Sequence, residues 1–206
     1  MTVFGIDVSR HNGNINWSKV AQSGVKFAII KAGGSDNGFY KDPKFEYNYT
    51  RAFNCGLGVG AYYFVGPKCK SKEDGIADAK RFHKIISGKK FDYPVFIDFE
   101  APSAYNKSGN TEAVIGFCEY MESKGYYCGV YASTLSGFDE KLNDAKLKPY
   151  DHWVADYRGY NGYKGSTGIW QYSESGKISG ISKKTDLDYA YKNYPSIIKR
   201  KHLNGW

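Results

Sequence analysis

The chain alternates. Short apolar runs are each followed, at close intervals, by a stretch with helical periodicity, and this happens five times before the pattern changes. VFGIDVS (3–9) leads to a short helix WSKVAQSG, capped by Asn16 and closed at Gly24. KFAIIKA (26–32) leads to DPKFEYNYTRAFNCG, where Asp42-Pro43 predicts the helix start and Gly56 its end. VGAYYFV (59–65) leads to KSKEDGIADAKRFHKIISG, with Ile76, Ala79, Phe82 and Ile86 on one face. PVFIDFE (94–100) leads to a helix from Thr111 to Gly125, capped by Asn110 or Thr111, and CGVYAS (128–133) to a short helix around 136–143.

The last third reads differently. HWVADY (152–157), GIWQYS (168–173) and TDLDYAY (185–191) have strand character, but only loops rich in Gly, Ser, Tyr and Lys separate them, as in hairpin-like links. Repeated strand–helix units impose a parallel sheet with right-handed crossovers, and apolar strand centres such as AII mean a sheet covered on both faces. Eight strands suggest closure. The expected fold is α/β, a TIM-like (β/α) barrel of eight strands with helices missing between the last three. An open doubly wound sheet is the rival, but it calls for a glycine-rich phosphate loop after the first strand, and DVSRHNG is not one.

At 206 residues, 41% hydrophobic and 24% charged, the composition is that of a soluble globular protein. No run approaches the roughly 18 apolar residues of a membrane-spanning helix, and no signal peptide is visible at the N-terminus. Four cysteines (Cys55, Cys69, Cys118, Cys128) lack a C-x-x-C pair and the four His lack metal spacing, so no metal and no cofactor are expected. Three disulfide pairings are formally possible, and free, mostly buried thiols are the default. The net charge of +8 favours anionic surfaces, but the basic residues are dispersed and no recognition motif for nucleic acid is present. Aromatic residues reach 17%, which suits a protein that stacks flat ligands such as sugars.

In a barrel of this kind chemistry collects at the C-terminal ends of the strands. Acids fall there repeatedly: Asp7 on the first strand, Asp98 and Glu100 on the fourth, Asp156 on the sixth. Asp186 and Asp188 fall near the start of the eighth, which makes that strand's direction an open question. Asp98 and Glu100 are the sharpest case. Alternation puts them on one face, about 6.5–7 Å apart along the strand. Two neighbouring carboxylates raise each other's proton affinity, and the expectation is that this keeps Glu100 protonated as a general acid beside an ionised partner, the pair that cleaves glycosidic bonds. Tyr62, Tyr131, Trp153, Tyr157, Trp170 and Tyr172 lie on neighbouring strands, and those near strand ends would form walls for sugar rings.

GIDVSRHNGNINW, FAIIKAGG, DPKFEYNYTRAFNCGLGVGAYYF, PVFIDFE, GVYAS, HWVADY, IWQYS and TDLD occur in an order and spacing that resembles family 25 of the glycoside hydrolases, the Chalaropsis-type lysozymes or N-acetylmuramidases. The resemblance covers about residues 3–191. It implies a lysozyme that hydrolyses the β-1,4 bond after N-acetylmuramic acid in bacterial peptidoglycan. Glu100 matches the proton donor, and Asp98 the residue that orients and polarises the sugar's 2-acetamido group. Asp7 and Asp186 match the other catalytic acids. Tyr62, Tyr131 and Gln171 match substrate-contact positions, and Asp156 and Trp153 are candidate contacts beside them. A barrel that binds such sugars with little turnover is the alternative. A chitinase-like relative would need a longer aspartate-rich motif, which residues 93–100 lack.

The chain departs from the family pattern at Gly33-Gly34-Ser35, at Tyr63 in place of the usual His, and at Asp188 in place of the usual Asn. The expected organisation is one catalytic barrel domain, 1–194, then a short basic tail, 195–206, either a terminal helix or the stub of a linker. A monomer acting outside the cell at the bacterial wall is expected, with peptidoglycan and anionic wall polymers as partners, and neither nucleic acid nor membrane.

Overall fold

The computed structural model describes residues 2–206. Eight strands close a barrel: β1 (Val3–Val8), β2 (Phe27–Gly34), β4 (Gly58–Phe64), β5 (Val95–Asp98), β6 (Cys128–Ser133), β7 (Asp151–Ala155), β8 (Ile169–Gly176) and β9 (Thr185–Ala190). A two-residue strand, β3 (Tyr40–Lys41), adds an antiparallel edge to β2. Pairing runs β1-β9-β8-β7-β6-β5-β4-β2, and β1 pairs β2 to complete the circuit. The barrel and its missing late helices are as the sequence predicts. One connection differs. The link from β7 to β8 is a parallel crossover without a helix, not a hairpin. Only β8–β9 is antiparallel among the late links, so β9 runs against both β8 and β1.

The helices on the outside are α1 (Trp17–Gln22), α2 (Phe45–Asn54), α3 (Lys72–Ile86), α4 (Lys107–Ser123), a short α5 (Asp144–Leu147) and α6 (Tyr194–Arg200). Asn16 caps α1 as expected, its side chain accepting from Lys19 N–H. Asp42 does not cap α2. Its carboxylate binds the N–H groups of Lys44 and Arg10, and the helix starts three residues later. The fourth long helix begins at Lys107 rather than Thr111, because Asn106 is the cap and the Thr111 hydroxyl bonds back to Lys107 C=O. The helix expected around 136–143 is instead a π-helical turn, Thr134–Asp139, followed by α5.

Alternation divides each strand between two cores. Ile6, Val8, Ala28, Ile30, Tyr63, Ile97 and Val130 face the helices, whereas Phe27, Ile29, Tyr62, Phe96, Tyr131, Trp153 and Ile169 fill the barrel. Glycines make room for the rings. A side-chain carbon on Gly5 would sit 2.3 Å from the Phe27 ring, and one on Gly129 2.7 Å from that of Phe96. The lower interior is closed by Tyr93, Tyr194 and Ile198, so the barrel is a packed core that opens only at its upper rim.

The segment 195–206, read from sequence as a basic tail, is the remainder of α6 and a turn packed under the barrel. Asn204 is fully buried there, with its side chain bonded to Tyr127 N–H and Tyr93 C=O.

Candidate active site

The acids gather at the upper rim because of strand direction. Asp7 ends β1 and Asp98 ends β5, both parallel strands with their C-terminal ends upward. The antiparallel course of β9 brings its beginning to the same rim, where Asp186 pairs directly with Asp7. The early position of Asp186 is thereby explained. Glu100 stands just beyond β5, in a turn pinned by Phe99 N–H to Tyr131 C=O at 2.9 Å and by the Lys141 ammonium on the Glu100 carbonyl.

These groups line a cleft of about 220 Å³, formed by Asp7, Tyr62, Asp98, Glu100, Tyr131, Trp153, Tyr157, Gln171, Glu174 and Asp186. A larger hollow of about 450 Å³ beside α1 and α2 contains no carboxylate, and one of about 470 Å³ beside α3 holds Asp36, Asp74 and Asp78; the smaller cleft is the one that gathers the acids of β1, β5 and β9. Of the residues given catalytic or substrate-contact roles from sequence, only Asp156 is absent from the lining. Its carboxylate is taken by Arg158 at 2.6 and 2.8 Å, Thr134 at 3.0 Å and Gly162 N–H at 3.0 Å. Three residues were not assigned to the site from sequence. Tyr157 carries the visible signal of an aromatic next to the Asp156 strand end. Glu174 lies past register shifts in β8, where period-two alternation no longer tells which way a side chain points. Asp188 lies one layer below the lining and is fully buried.

Gln171 ties the floor together. Its amide nitrogen donates to Asp7 at 2.6 Å, while its oxygen accepts from Tyr131 at 2.8 Å and also from Tyr157. Trp153 packs at 4.5 Å from the Tyr131 ring and donates its indole N–H to Asp188 at 2.8 Å. The Lys31 ammonium lies among the rings of Tyr40, Tyr62 and Phe64, at 4.3 Å from the last.

Burial distinguishes the two members of the carboxyl pair. Asp98 is 4% exposed, whereas Glu100 is exposed to the cleft. Burial first, then the charge of Glu100, holds the Asp98 carboxyl well above the usual carboxylate range, with Lys31 opposing. Burial and the neighbouring Glu100 charge thus favour the proton-bearing form of Asp98 in the open cleft. Asp98 Oδ1 has no hydrogen-bond partner among the described residues. Across the cleft, burial and Glu174 push Asp186 up to about 6. Burial, Asp188 and Asp186 raise Asp7 well above its ordinary value. The arrangement therefore offers a proton-bearing carboxyl pair on one wall, a second acidic group opposite, and aromatic and amide surfaces between them.

The departures from the family pattern sit mostly outside this cleft. Tyr63 faces the helices, against Phe82 and Phe117, with its hydroxyl toward Asp78. Gly33 admits β3, since a side-chain carbon there would lie 2.3 Å from Tyr40 C=O. The Ser35 hydroxyl bridges Asp78 and Gly66 N–H.

The family model for glycosyl hydrolases family 25 matches residues 6–181. The autolytic lysozyme of Clostridium acetobutylicum is 30% identical over 89% of this chain and 54% of its own length. Lysozyme M1 of Streptomyces globisporus is 32% identical over 89% of this chain and 66% of its own. The chain thus spans between about half and two-thirds of these relatives. The crystal structure of the bacterial lysozyme from Streptomyces coelicolor superposes with a TM-score of 0.77 at 26% identity, covering 95% of each chain.

Proposed function

Because the chain belongs to family 25 of the glycosyl hydrolases, we propose that it is a lysozyme, a 1,4-β-N-acetylmuramidase that hydrolyses the bond between N-acetylmuramic acid and N-acetylglucosamine in bacterial peptidoglycan. The observation that carries this reading is the Asp98–Glu100 pair: one carboxyl buried, where burial and its neighbour's charge favour the protonated form, and the other exposed to the cleft.

The steps follow from that asymmetry. A muramic acid residue settles against Tyr62, Tyr131 and Trp153, and its 2-acetamido N–H meets the unpartnered Asp98 Oδ1. Gaining a donor favours the charged form of Asp98, while the sugar strips water from Glu100 and disfavours its charge. The proton moves to Glu100, which delivers it to the glycosidic oxygen. Asp98, now ionised, holds the acetamido group with its carbonyl oxygen turned toward the anomeric carbon. Asp7 and Asp186 face the positive charge that develops on the sugar ring. The leaving N-acetylglucosamine departs with the proton, and water completes hydrolysis with Glu100 as base.

Glu100→Gln keeps the shape and removes the proton. Release of reducing ends from purified peptidoglycan should fall about 10²–10⁴-fold with thermal stability unchanged. Mass spectrometry should find reducing muramic acid at the new ends. Reducing glucosamine, full activity in the variant, or binding by the wild type without any soluble product would overturn the assignment.

A further inference from the structure

Asp188 is a carboxyl group that the steps above do not use. It follows Asp186 by two residues on β9, so both side chains point into the barrel, Asp188 one layer deeper. Its neighbours across the sheet are Gly5 on β1, which has no side chain, and Gln171 on β8. Asp188 is 0% exposed. Trp153 on β7 donates to its Oδ1 at 2.8 Å, and Oδ2 has no N–H or hydroxyl partner among the described residues. A buried carboxylate with one donor is poorly compensated.

What lies within hydrogen-bonding reach of Asp188 is the Asp7 carboxyl. Asp7 already uses Oδ2 to accept from Gln171. Ionised carboxylates only accept, so two of them in hydrogen-bonding contact require a proton between them. The surroundings reinforce this. Asp186 on the same strand is an acid, as are Asp98 and Glu100 from β5, while Tyr62 on β4, Tyr131 on β6 and Tyr157 beyond β7 are phenols. The Lys31 side chain on β2 lies among three aromatic rings beside Asp98.

We propose that Asp188 is a positioning residue that shares one proton with Asp7 beneath the sugar-binding surface, so that the pair carries a single negative charge while the enzyme is active. Loss of that proton places a second charge next to Asp186 and under the Asp98–Glu100 wall, where it opposes ionisation of Asp98 and unseats Asp7 from Gln171. Activity then ends on the alkaline side when the pair gives up its proton. Burial and the neighbouring acid push Asp188 up to about 8. This role rests on the hydrolase reading, whereas the shared proton does not.

Asp188→Asn tests both. The amide oxygen still accepts from Trp153 and the amide nitrogen donates to Asp7, so no second charge can form. The alkaline limb of kcat should move up by about one pH unit or more. Independently of activity, the wild-type fold holds a proton that the unfolded chain releases, so it loses stability as pH rises from about 4 to about 8. The variant lacks this loss, and its Tm relative to wild type should climb by several degrees across that window. If Asp188→Asn does not fold, Asp7→Asn removes the same proton and should show the same trend in Tm. A Tm difference that is flat with pH overturns the shared proton even if the protein proves not to be a hydrolase. A shifted Tm trend with an unmoved alkaline limb overturns the positioning role.

Discussion

Asp156 and Asp98 show how one residue type in like positions near a strand end acquires opposite properties. Both are buried, but Asp156 has a guanidinium, a hydroxyl and a backbone N–H around it, whereas Asp98 has a carboxyl group and an oxygen left without a donor. Arg158 above all, with Gly162 and Thr134, holds the Asp156 carboxyl well below the usual carboxylate range. A depressed carboxyl stabilises the fold above its unfolded value of about 3.9 and loses that contribution as pH falls through the folded value. Asp156→Asn should therefore lower stability at pH 7 by about 2 kcal/mol and by clearly less at pH 2, and should leave KM for peptidoglycan fragments within about twofold. A denaturant titration at each pH, paired with kinetics, checks this. Sequence placed both aspartates near strand ends and offers Arg158, two residues on, as a partner for Asp156, but Thr134 and Gly162 meet it only once the upper loops fold. The same limit applies to the Asp98–Glu100 pair. Strand spacing fixes which carboxyls are adjacent, and burial fixes which one is neutral.

The elements were legible where their signals are local. Apolar runs located all eight barrel strands, and Asn16, Gly56 and Gly125 marked helix ends, with Gly56 and Gly125 in the left-handed region at φ 77° and 79°. Direction was not legible, because an alternating pattern such as TDLDYA reads the same both ways. Only its pairing with β1 and β8 makes β9 antiparallel and turns Asp186 upward. The turn after α6 was equally hidden, because its contacts are remote in sequence. Asn204 adopts φ 56°, which asparagine tolerates, and bonds through its side chain to Tyr127 N–H at 2.7 Å and Tyr93 C=O at 2.9 Å. Its backbone adds bonds to Gly125 C=O and Phe91 N–H. One residue thus holds the lower ends of β5 and β6 together. Asn204→Ala leaves a buried N–H and C=O unpaired and should cost about 2–4 kcal/mol. Asn204→Gly should be no better, although it relieves the backbone. If glycine restores stability in chemical denaturation, backbone conformation and not the side-chain suture is what matters there.

Across the whole molecule charge is segregated. The upper rim gathers Asp7, Asp98, Glu100, Glu174 and Asp186 around the cleft. The lower end, where the parallel strands begin and α6 packs, carries Lys26, Lys90, Lys124, Lys148, Arg200 and Lys201, all exposed and none in an ion pair with a carboxylate. Of the acids near them, Asp92 and Asp151 are matched by Lys199 and Lys192, while Glu122 lines a hollow with Lys201. Six of the 29 basic residues behind the +8 net charge therefore stand without a carboxylate partner on the face opposite the cleft. A catalytic rim that repels anionic polymer and a floor that attracts it would hold the cleft toward the neutral glycan strand while the molecule rests on phosphate-bearing wall chains. Replacing Arg200 and Lys201 with Gln, at positions outside the cleft, should weaken retention on poly(glycerol phosphate)-bearing wall at low salt by about threefold or more, and the difference should vanish near 0.5 M salt, where screening is nearly complete. Hydrolysis of wall stripped of that polymer should be unchanged. Equal retention of the variant and wild type at low salt would show that the floor's charge has no part in wall attachment. Equally strong loss on duplex DNA would show an attraction to polyanions without preference for the wall.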